Sequence, residues 1–184
     1  MTDVIAAATQ QVFQLPSIEY RQIAPMGLVL TMAVVSVLVE AFVRREARRT
    51  VQLTLTFATL IAALILDLTL AGQRALAAEG ALAVDGPALF MQATILVLAL
   101  MAALLVAEKG VDSAGDAFAA RTNALPGSVD EREFTKRGWL TTEIWPLYLF
   151  SVGGMLMFVS GTDLLILFVA LEVMSLPLYL LAGM

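Results

Sequence analysis

One carboxylate lies inside a long apolar segment of the chain. Residues 163–184 read DLLILFVALEVMSLPLYLLAGM, and about 20 such residues at about 1.5 Å of rise per residue cross the roughly 30 Å hydrocarbon core of a bilayer as a helix. Glu172 follows Asp163 by nine residues, on the order of 13 Å along the helix axis, which places it near the membrane midplane. An acid at that depth costs at least about 2.5 to 3.5 kcal/mol to insert, so it requires a polar partner, water or a proton.

Three neighbours on the same helix favour proton chemistry at Glu172. Ser175 and Tyr179 follow at helical spacing, which predicts two hydroxyls on the side of the acid, facing protein. Pro177 lies in the helix body, where its ring removes a backbone donor and clashes with the carbonyl of Val173, so we expect a helix break that admits water. Together these residues predict a site that holds and passes on a proton. The alternative is a buried acid that is hydrogen-bonded only for helix packing.

The composition is typical of an integral membrane protein. Of the 184 residues, 60% are hydrophobic and 15% are charged, more apolar than a soluble core of this size requires. The sequence contains no Cys and no His, which excludes disulfides, thiolate sites, iron–sulfur clusters and imidazole ligands. We therefore expect no cofactor and no metal in this chain. The net charge of −5 comes from scattered acids, and no segment is basic enough to predict nucleic-acid binding.

The apolar segments predict an all-α, polytopic bundle of five membrane-spanning helices. The expected spans are residues 24–43, 51–70, 87–106, 144–159 and 163–184. Residues 1–23 alternate apolar and Gln residues at helical spacing, which predicts an interfacial amphipathic helix, with a frayed terminus as the alternative. Residues 107–140 form a polar loop whose charge run, DEREFTKR, favours a solubilising surface over a docking site.

Several residues at the helix ends have specific expected roles. Pro25 opens the first helix, where its missing donor costs little. Glu40 precedes Arg44 by four residues, the spacing of an interfacial ion pair. Asp67 lies near the far end of the second helix, where we expect it to reach headgroups, with a transport role as the alternative. Pro87 opens the third helix after an Ala- and Gly-rich link, residues 71–86.

The fourth helix carries signals of its own. Thr141, Thr142 and Glu143 have the residue types of an N-terminal cap and first turn. Gly153 and Gly154 predict a close approach by a neighbouring helix. Trp139 and Trp145 fit the aromatic belt at a membrane interface. The SGT sequence at 160–162 predicts a tight turn into the fifth helix.

Basic residues predict the orientation in the membrane. Nine of the 11 Lys and Arg residues fall on the side reached after the first and third helices: Arg44, Arg45, Arg48, Arg49, Lys109, Arg121, Arg132, Lys136 and Arg137. The positive-inside rule then places the N-terminus outside and loop 107–140 in the cytoplasm. None of the expected spans supplies a Lys, Arg or His within the membrane to pair with Glu172. We therefore expect its partner in a later part of a longer chain or in another subunit.

The last quarter of the chain resembles a known family. Residues 143–184, EIWPLYLFSVGGMLMFVSGTDLLILFVALEVMSLPLYLLAGM, resemble the fourth and fifth helices of subunit N of the proton-pumping NADH:quinone oxidoreductase, respiratory complex I. The segment LFVALEVMSLPLYLL, an acid followed by Ser-Leu-Pro-Leu-Tyr, carries most of the specificity. The first three helices match only in hydropathy and topology.

The resemblance implies the N-terminal part of an antiporter-like subunit of 14 helices in two inverted repeats. It also implies that Glu172 pairs with a lysine on the seventh helix. NADH, FMN, the iron–sulfur clusters and quinone are then bound by other subunits, and the chain is an obligate partner of other membrane-arm subunits in a bacterial plasma membrane. Two alternatives remain: a subunit of a multisubunit sodium/proton antiporter, or a purely structural membrane subunit.

Overall fold

The computed structural model describes residues 19–108 and 143–183, which form five helices and one two-stranded sheet. In chain order the elements are α1 (Ala24–Phe42), α2 (Arg45–Thr69), β1 (Ala75–Ala77), β2 (Leu82–Val84), α3 (Gly86–Ala107), α4 (Ile144–Ser160) and α5 (Leu164–Ala182). The expected surface helix before residue 19, the charge run 130–137, Trp139, Thr141 and Thr142 lie outside the described residues. The prediction of an all-α bundle is confirmed for the part described.

Four of these helices have the length and composition of membrane spans. They are α1, α2, α3 and α5, while α4, with 17 residues, is apolar but shorter. The helix α2 begins at Arg45, ahead of the apolar segment that starts at Val51, because a helix can extend past the hydrocarbon core with polar residues in its first turns.

Local sequence explains how the helices begin. Pro25 and Pro87 occupy the first turns of α1 and α3, where the absent N–H costs no hydrogen bond. An aspartate directly precedes both α3 and α5. The carboxylate of Asp85 accepts from the N–H of Ala88 at 3.0 Å. The carboxylate of Asp163 accepts from the N–H of Ile166 at 2.8 Å, so Asp163 is an N-terminal cap.

The helices α1 and α2 form an antiparallel pair joined by an extended link of two residues, Val43 and Arg44. Two side-chain contacts define the register: Ser36 bonds to Gln52, and Glu40 bonds to Arg48. Ser36 is four residues further from the link than Glu40, and Gln52 is four residues further from the link than Arg48. This equal spacing on the two helices is what antiparallel packing requires.

A β-hairpin occupies the link that the sequence predicts only as Ala- and Gly-rich. Strands β1 and β2 pair antiparallel, with Ala75 opposite Val84 and Ala77 opposite Leu82. Their connection is tight because Ala78, Glu79 and Gly80 all have positive φ angles, a conformation that glycine adopts easily and other residues rarely. Strands of three residues, rich in alanine, show no clear alternation of apolar and polar side chains, so the sequence does not predict the hairpin.

The hairpin ties three parts of the chain together at one end of the bundle. The N–H of Thr162, in the turn between α4 and α5, donates to the carbonyl of Ala81 at 3.1 Å, and the Thr162 hydroxyl donates to the carbonyl of Gly80. The N–H of Ala78 donates to the carboxylate of Glu19, just before α1, at 3.3 Å. The α1 entry, the hairpin and the α4–α5 turn therefore share one end.

Helix α4 lies at the centre of the packing. Its residues Leu149, Val152 and Leu156 are fully or almost fully buried in the hydrophobic core. The predicted close approach at the two glycines is confirmed. A Cβ on Gly153 would come within 2.5 Å of the Leu30 side chain of α1, and one on Gly154 within 2.5 Å of the Met174 backbone nitrogen of α5.

Candidate functional site

Glu172 lies on the outermost helix of the described bundle. Only Ala170 and Pro177 of α5 are buried, seven residues apart on the face that packs towards α4. At about 100° per residue, Glu172 is about 200° around the helix from Ala170, on the opposite side. Glu172 is partly buried and forms no hydrogen bond or ion pair with residues 19–108 or 143–183.

Ser175 and Tyr179, the other expected members of the site, lie near Glu172 on the helix but do not bond to it. Tyr179 lies seven residues on from Glu172, on the same face, and is 72% exposed. Ser175 is partly buried. Neither hydroxyl bonds to the acid within the described residues. The face with the predicted proton chemistry is therefore left uncovered by this part of the chain.

Pro177 does not break the helix, in contrast to the expected interruption. Helix α5 is continuous from Leu164 to Ala182 with Pro177 inside it. The proline still removes one N–H donor, so the carbonyl of Val173, one turn earlier, lacks its helical partner. Because α5 is not interrupted, any water bound at this point occupies one free carbonyl rather than an unwound turn.

Two features of α5 position the acid. The cap by Asp163 fixes where the helix starts, and the contact between Gly154 and Met174 brings the α4 and α5 backbones together two residues past Glu172. One of the two glycines predicted to permit close packing, Gly154, therefore contacts α5 two residues past the carboxylate. The cap and this contact together hold the depth and rotation of Glu172 relative to α4.

A buried polar network between α1 and α2 was not predicted. The Ser36 hydroxyl donates to Gln52 Oε1 at 2.5 Å, and Gln52 Nε2 donates to the Ser36 carbonyl at 2.8 Å and to Glu40 Oε2 at 3.1 Å. The network continues to Arg48, whose Nη1 is 2.8 Å from Glu40 Oε1. The expected pairing of Glu40 with Arg44 is thus wrong, because the helix ends between them and Arg48 of α2 faces Glu40 across the link.

A second buried polar pair joins α3 to α4. Gln92 Nε2 donates to the Ser160 hydroxyl at 2.5 Å, and both side chains are almost fully buried. Tyr148 of α4 donates to the carbonyl of Ala99 of α3 at 2.5 Å. A Gln in an apolar helix is a signal of such a bond, because an unpaired amide is costly away from water, but its partner cannot be read from the sequence.

Two residues expected at the membrane surface are buried in protein instead. Asp67 is 2% exposed, and its Oδ1 has no hydrogen-bond partner in the described structure. Asp67 therefore does not reach headgroups, because the helical repeat places it on the buried face of α2 with Gln52, Thr56 and Ala63. Trp145 is 4% exposed and packs edge-to-face on Tyr148, so its ring contacts the core instead of the interface.

The first turn of α4 differs from its expected cap. Glu143 precedes the helix but makes no side-chain capping bond, and it is exposed. Across residues 19–108 and 143–183, no group of three or more His, Cys, Asp or Glu side chains lies close enough to hold a metal ion. The chemistry that the described site offers is that of a single carboxylic acid beside hydroxyls.

The helices, their apolar composition and the acid within α5 define the class: a multi-pass helical membrane protein. Within that class, the chain is homologous to subunit N of NADH-quinone oxidoreductases. It is 47% identical to that subunit from Rhodococcus opacus (strain B4) over 92% of the chain, 45% identical to the one from Parafrankia sp. (strain EAN1pec) over 100%, and 48% identical to the one from Acidothermus cellulolyticus over 97%.

The similarity covers far more of the chain than residues 143–184, and it extends through the first three helices. The chain spans about a third of the length of these curated relatives, between 34% and 35%. No model of a protein family matches the chain.

Proposed function

We propose that this chain forms part of a membrane-arm subunit of a proton-translocating NADH-quinone oxidoreductase, in which Glu172 carries the proton. The observation that supports this most directly is an ionisable side chain halfway along an apolar helix, on a face that the described residues do not cover. An intramembrane acid is costly and usually faces protein or water. The similarity to subunit N supports the assignment to the parent complex.

The proposed cycle uses two states of Glu172. In one, the carboxylate pairs with a lysine from a later helix of the full-length subunit; in the other, the pair is separated and the acid is protonated. A nearby cation favours the charged carboxylate, and its withdrawal favours the neutral acid, so a change of separation binds or releases a proton. The uncovered face of α5 is where such a lysine would approach.

The neighbouring residues have supporting roles in this proposal. Ser175 and Tyr179 supply hydroxyls that hydrogen-bond the acid or a water beside it. Pro177 leaves the Val173 carbonyl free to accept from water. The fixed contact of Gly154 with Met174 keeps the α4 side of the helix still while the other face exchanges partners.

The parent complex supplies the remaining chemistry. NADH, FMN, the iron–sulfur clusters and quinone belong to other subunits, and the chain works only as one member of a hetero-oligomer. We place the complex in a bacterial plasma membrane, with the α1 entry, the hairpin and the α4–α5 turn on the periplasmic side. The α1–α2 link is then cytoplasmic, in keeping with its four arginines, Arg44, Arg45, Arg48 and Arg49.

The decisive experiment is Glu172→Gln in the complete complex, measured as NADH-driven acidification of inverted membrane vesicles. Glutamine keeps the shape of the acid and can still hydrogen-bond, but it cannot release a proton. A positioned acid–base group contributes about 10²- to 10⁴-fold to proton transfer, so we expect acidification through this path to fall by at least about tenfold. The amount of assembled complex and its NADH oxidation with an artificial acceptor should stay close to wild type.

Glu143→Gln is the matched control, because Glu143 is an exposed acid at the start of α4 without a capping bond. It should pump normally. Normal pumping by assembled Glu172→Gln complex would remove Glu172 from the mechanism and favour a structural subunit. Sodium-dependent exchange without NADH-linked activity would instead favour the antiporter alternative.

A further inference from the structure

The four arginines around the α1–α2 link divide into two pairs. Arg48 donates to the Val43 carbonyl, from Nε at 3.3 Å and Nη2 at 3.0 Å, while its Nη1 pairs with Glu40. Arg49 Nη2 donates to the Ala107 carbonyl at 3.0 Å. Both side chains thus bind carbonyls at the C-terminal ends of α1 and α3, the ends at which the helix dipole favours a cation.

The other pair has no such partner. Arg44 and Arg45 are exposed, and their side chains form no hydrogen bond or ion pair with residues 19–108 or 143–183. They also stand at the N-terminal end of α2, where the helix dipole is positive and a cation is unfavourable. Glu46 is the one acid in that first turn. Two unpaired cations at a helix end that disfavours positive charge indicate a site where a bound anion would stabilise them.

The depth of this pair matches the phosphate layer of a membrane. Arg45 precedes the apolar segment of α2 by six residues, about 9 Å along the helix axis. The headgroup region adds roughly 5 to 8 Å to each side of the hydrocarbon core, so the Arg45 backbone lies just beyond it and the long side chain can reach back to the phosphates. Phe42, at the end of α1, is 84% exposed beside the link. An exposed apolar ring two and three residues before two free guanidinium groups suits the boundary between acyl chains and phosphates.

We infer that Arg44 and Arg45 bind the phosphate of an anionic phospholipid, with Phe42 against its acyl chains. A guanidinium binds a phosphate through two parallel N–H bonds, and the two side chains together favour a lipid of net negative charge over a zwitterionic one. Arg48 and Arg49 remain bound to protein carbonyls and form no part of this lipid site. The inference goes beyond proton transfer and does not depend on Glu172.

The test uses the complete complex of the full-length subunit in membranes that contain photo-crosslinkable phosphatidylglycerol. We expect adducts mapped by mass spectrometry to Phe42–Arg49, and an Arg44→Gln/Arg45→Gln variant should lower that labelling roughly fivefold for each arginine removed. Photo-crosslinkable phosphatidylcholine should label this segment much less. The yield of assembled complex serves as the folding control.

The matched control is Arg74→Gln, since Arg74 is an exposed arginine near the opposite, hairpin end of the bundle. It should leave labelling of Phe42–Arg49 unchanged. Equal labelling by the two lipids, or equal labelling of wild type and double variant, would overturn the inference. Loss of labelling on addition of millimolar inorganic phosphate, with no dependence on lipid charge, would assign the site to free phosphate and likewise overturn it.

Discussion

Gly154 of α4 lies directly against the backbone of Met174 in α5: a Cβ built on the glycine would stand 2.5 Å from the Met174 nitrogen and 2.8 Å from its Cα. Backbone atoms cannot rotate away as a side chain can. The contact therefore couples the centre of the bundle to the helix that carries Glu172, two residues from the acid.

Gly154→Ala should destabilise the complex and reduce its pumping. The added methyl must push α5 outward, an overpacking cost of about 1 to 3 kcal/mol that exceeds the gain in helix propensity. We expect a lower thermal inactivation midpoint at fixed scan rate, together with slower acidification of vesicles. Gly27→Ala is the control, since an added Cβ there meets nothing within 4 Å. A Gly154→Ala complex as stable as the control would show that α5 does not rest on α4.

Gly153→Ala should have an intermediate effect, because its added Cβ meets the Leu30 side chain, 2.5 Å away at Cδ2, rather than backbone. A leucine can change rotamer at a cost of order 0.5 to 1.5 kcal/mol. The order of thermal midpoints should be Gly27→Ala highest, then Gly153→Ala, then Gly154→Ala. A reversed order of the two α4 variants would contradict the assignment of Gly154 to the tighter contact.

Arg48→Gln should destabilise the α1–α2 pair. Arg48 and Glu40 are only 21% and 16% exposed, and Arg48 also bonds the Val43 carbonyl. Loss of a hydrogen bond to a charged group typically costs about 1.5 to 3 kcal/mol. The thermal midpoint should fall, and adding Glu40→Gln should recover part of the loss, because a carboxylate that has lost its cation is then no longer left in the junction. Additive effects of the two changes would contradict the coupling.

Gln92→Leu should weaken the α3–α4 contact by about 1 to 3 kcal/mol, because it leaves the buried Ser160 hydroxyl without its 2.5 Å partner. The double variant Gln92→Leu/Ser160→Ala should regain stability, since neither side then carries an unsatisfied polar group. Thr94→Val serves as the control: Thr94 is exposed and bonds only to a carbonyl of its own helix. The measurement is again the thermal midpoint of the assembled complex.

Asp67→Asn should leave both assembly and pumping close to wild type. Asp67 is buried at the end of α2 without a cation bonded to it among the described residues, so a neutral amide of the same shape removes no ion pair. Asp67→Lys, which adds volume and a charge at a buried position, should prevent assembly. Loss of acidification in an assembled Asp67→Asn complex would instead identify a second proton-carrying acid and revive the transport alternative for this residue.

The sequence predicts the helices better than their contacts. Long apolar segments locate α1, α3 and α5, and the prolines at 25 and 87 mark where α1 and α3 begin. Both signals act within one segment, so they can be read without knowing the contacts between helices. The glycines at 153 and 154 predict a close approach but not which helix approaches. The structure assigns one glycine to α1 and the other to α5.

The incorrect expectations share a physical cause. The pairing of Glu40 with Arg44 assumes that one helix continues through both residues, whereas the chain turns at Val43 and brings Arg48 into reach. The surface placement of Asp67 and Trp145 assumes that position along a helix decides exposure. Rotation about the helix axis decides it instead, and that depends on which faces of other helices are present.

By itself the sequence determines that this is a helical membrane protein with one acid placed deep in an apolar helix. Polar groups are costly in lipid, so a long apolar segment is enough to identify a spanning helix and an acid inside it. Only the tertiary structure decides that Glu172 faces away from α4, that Asp67 is enclosed, and that Arg44 and Arg45 have no partner in the part described. These facts depend on which distant segments meet, and packing between segments is not encoded by any one of them alone.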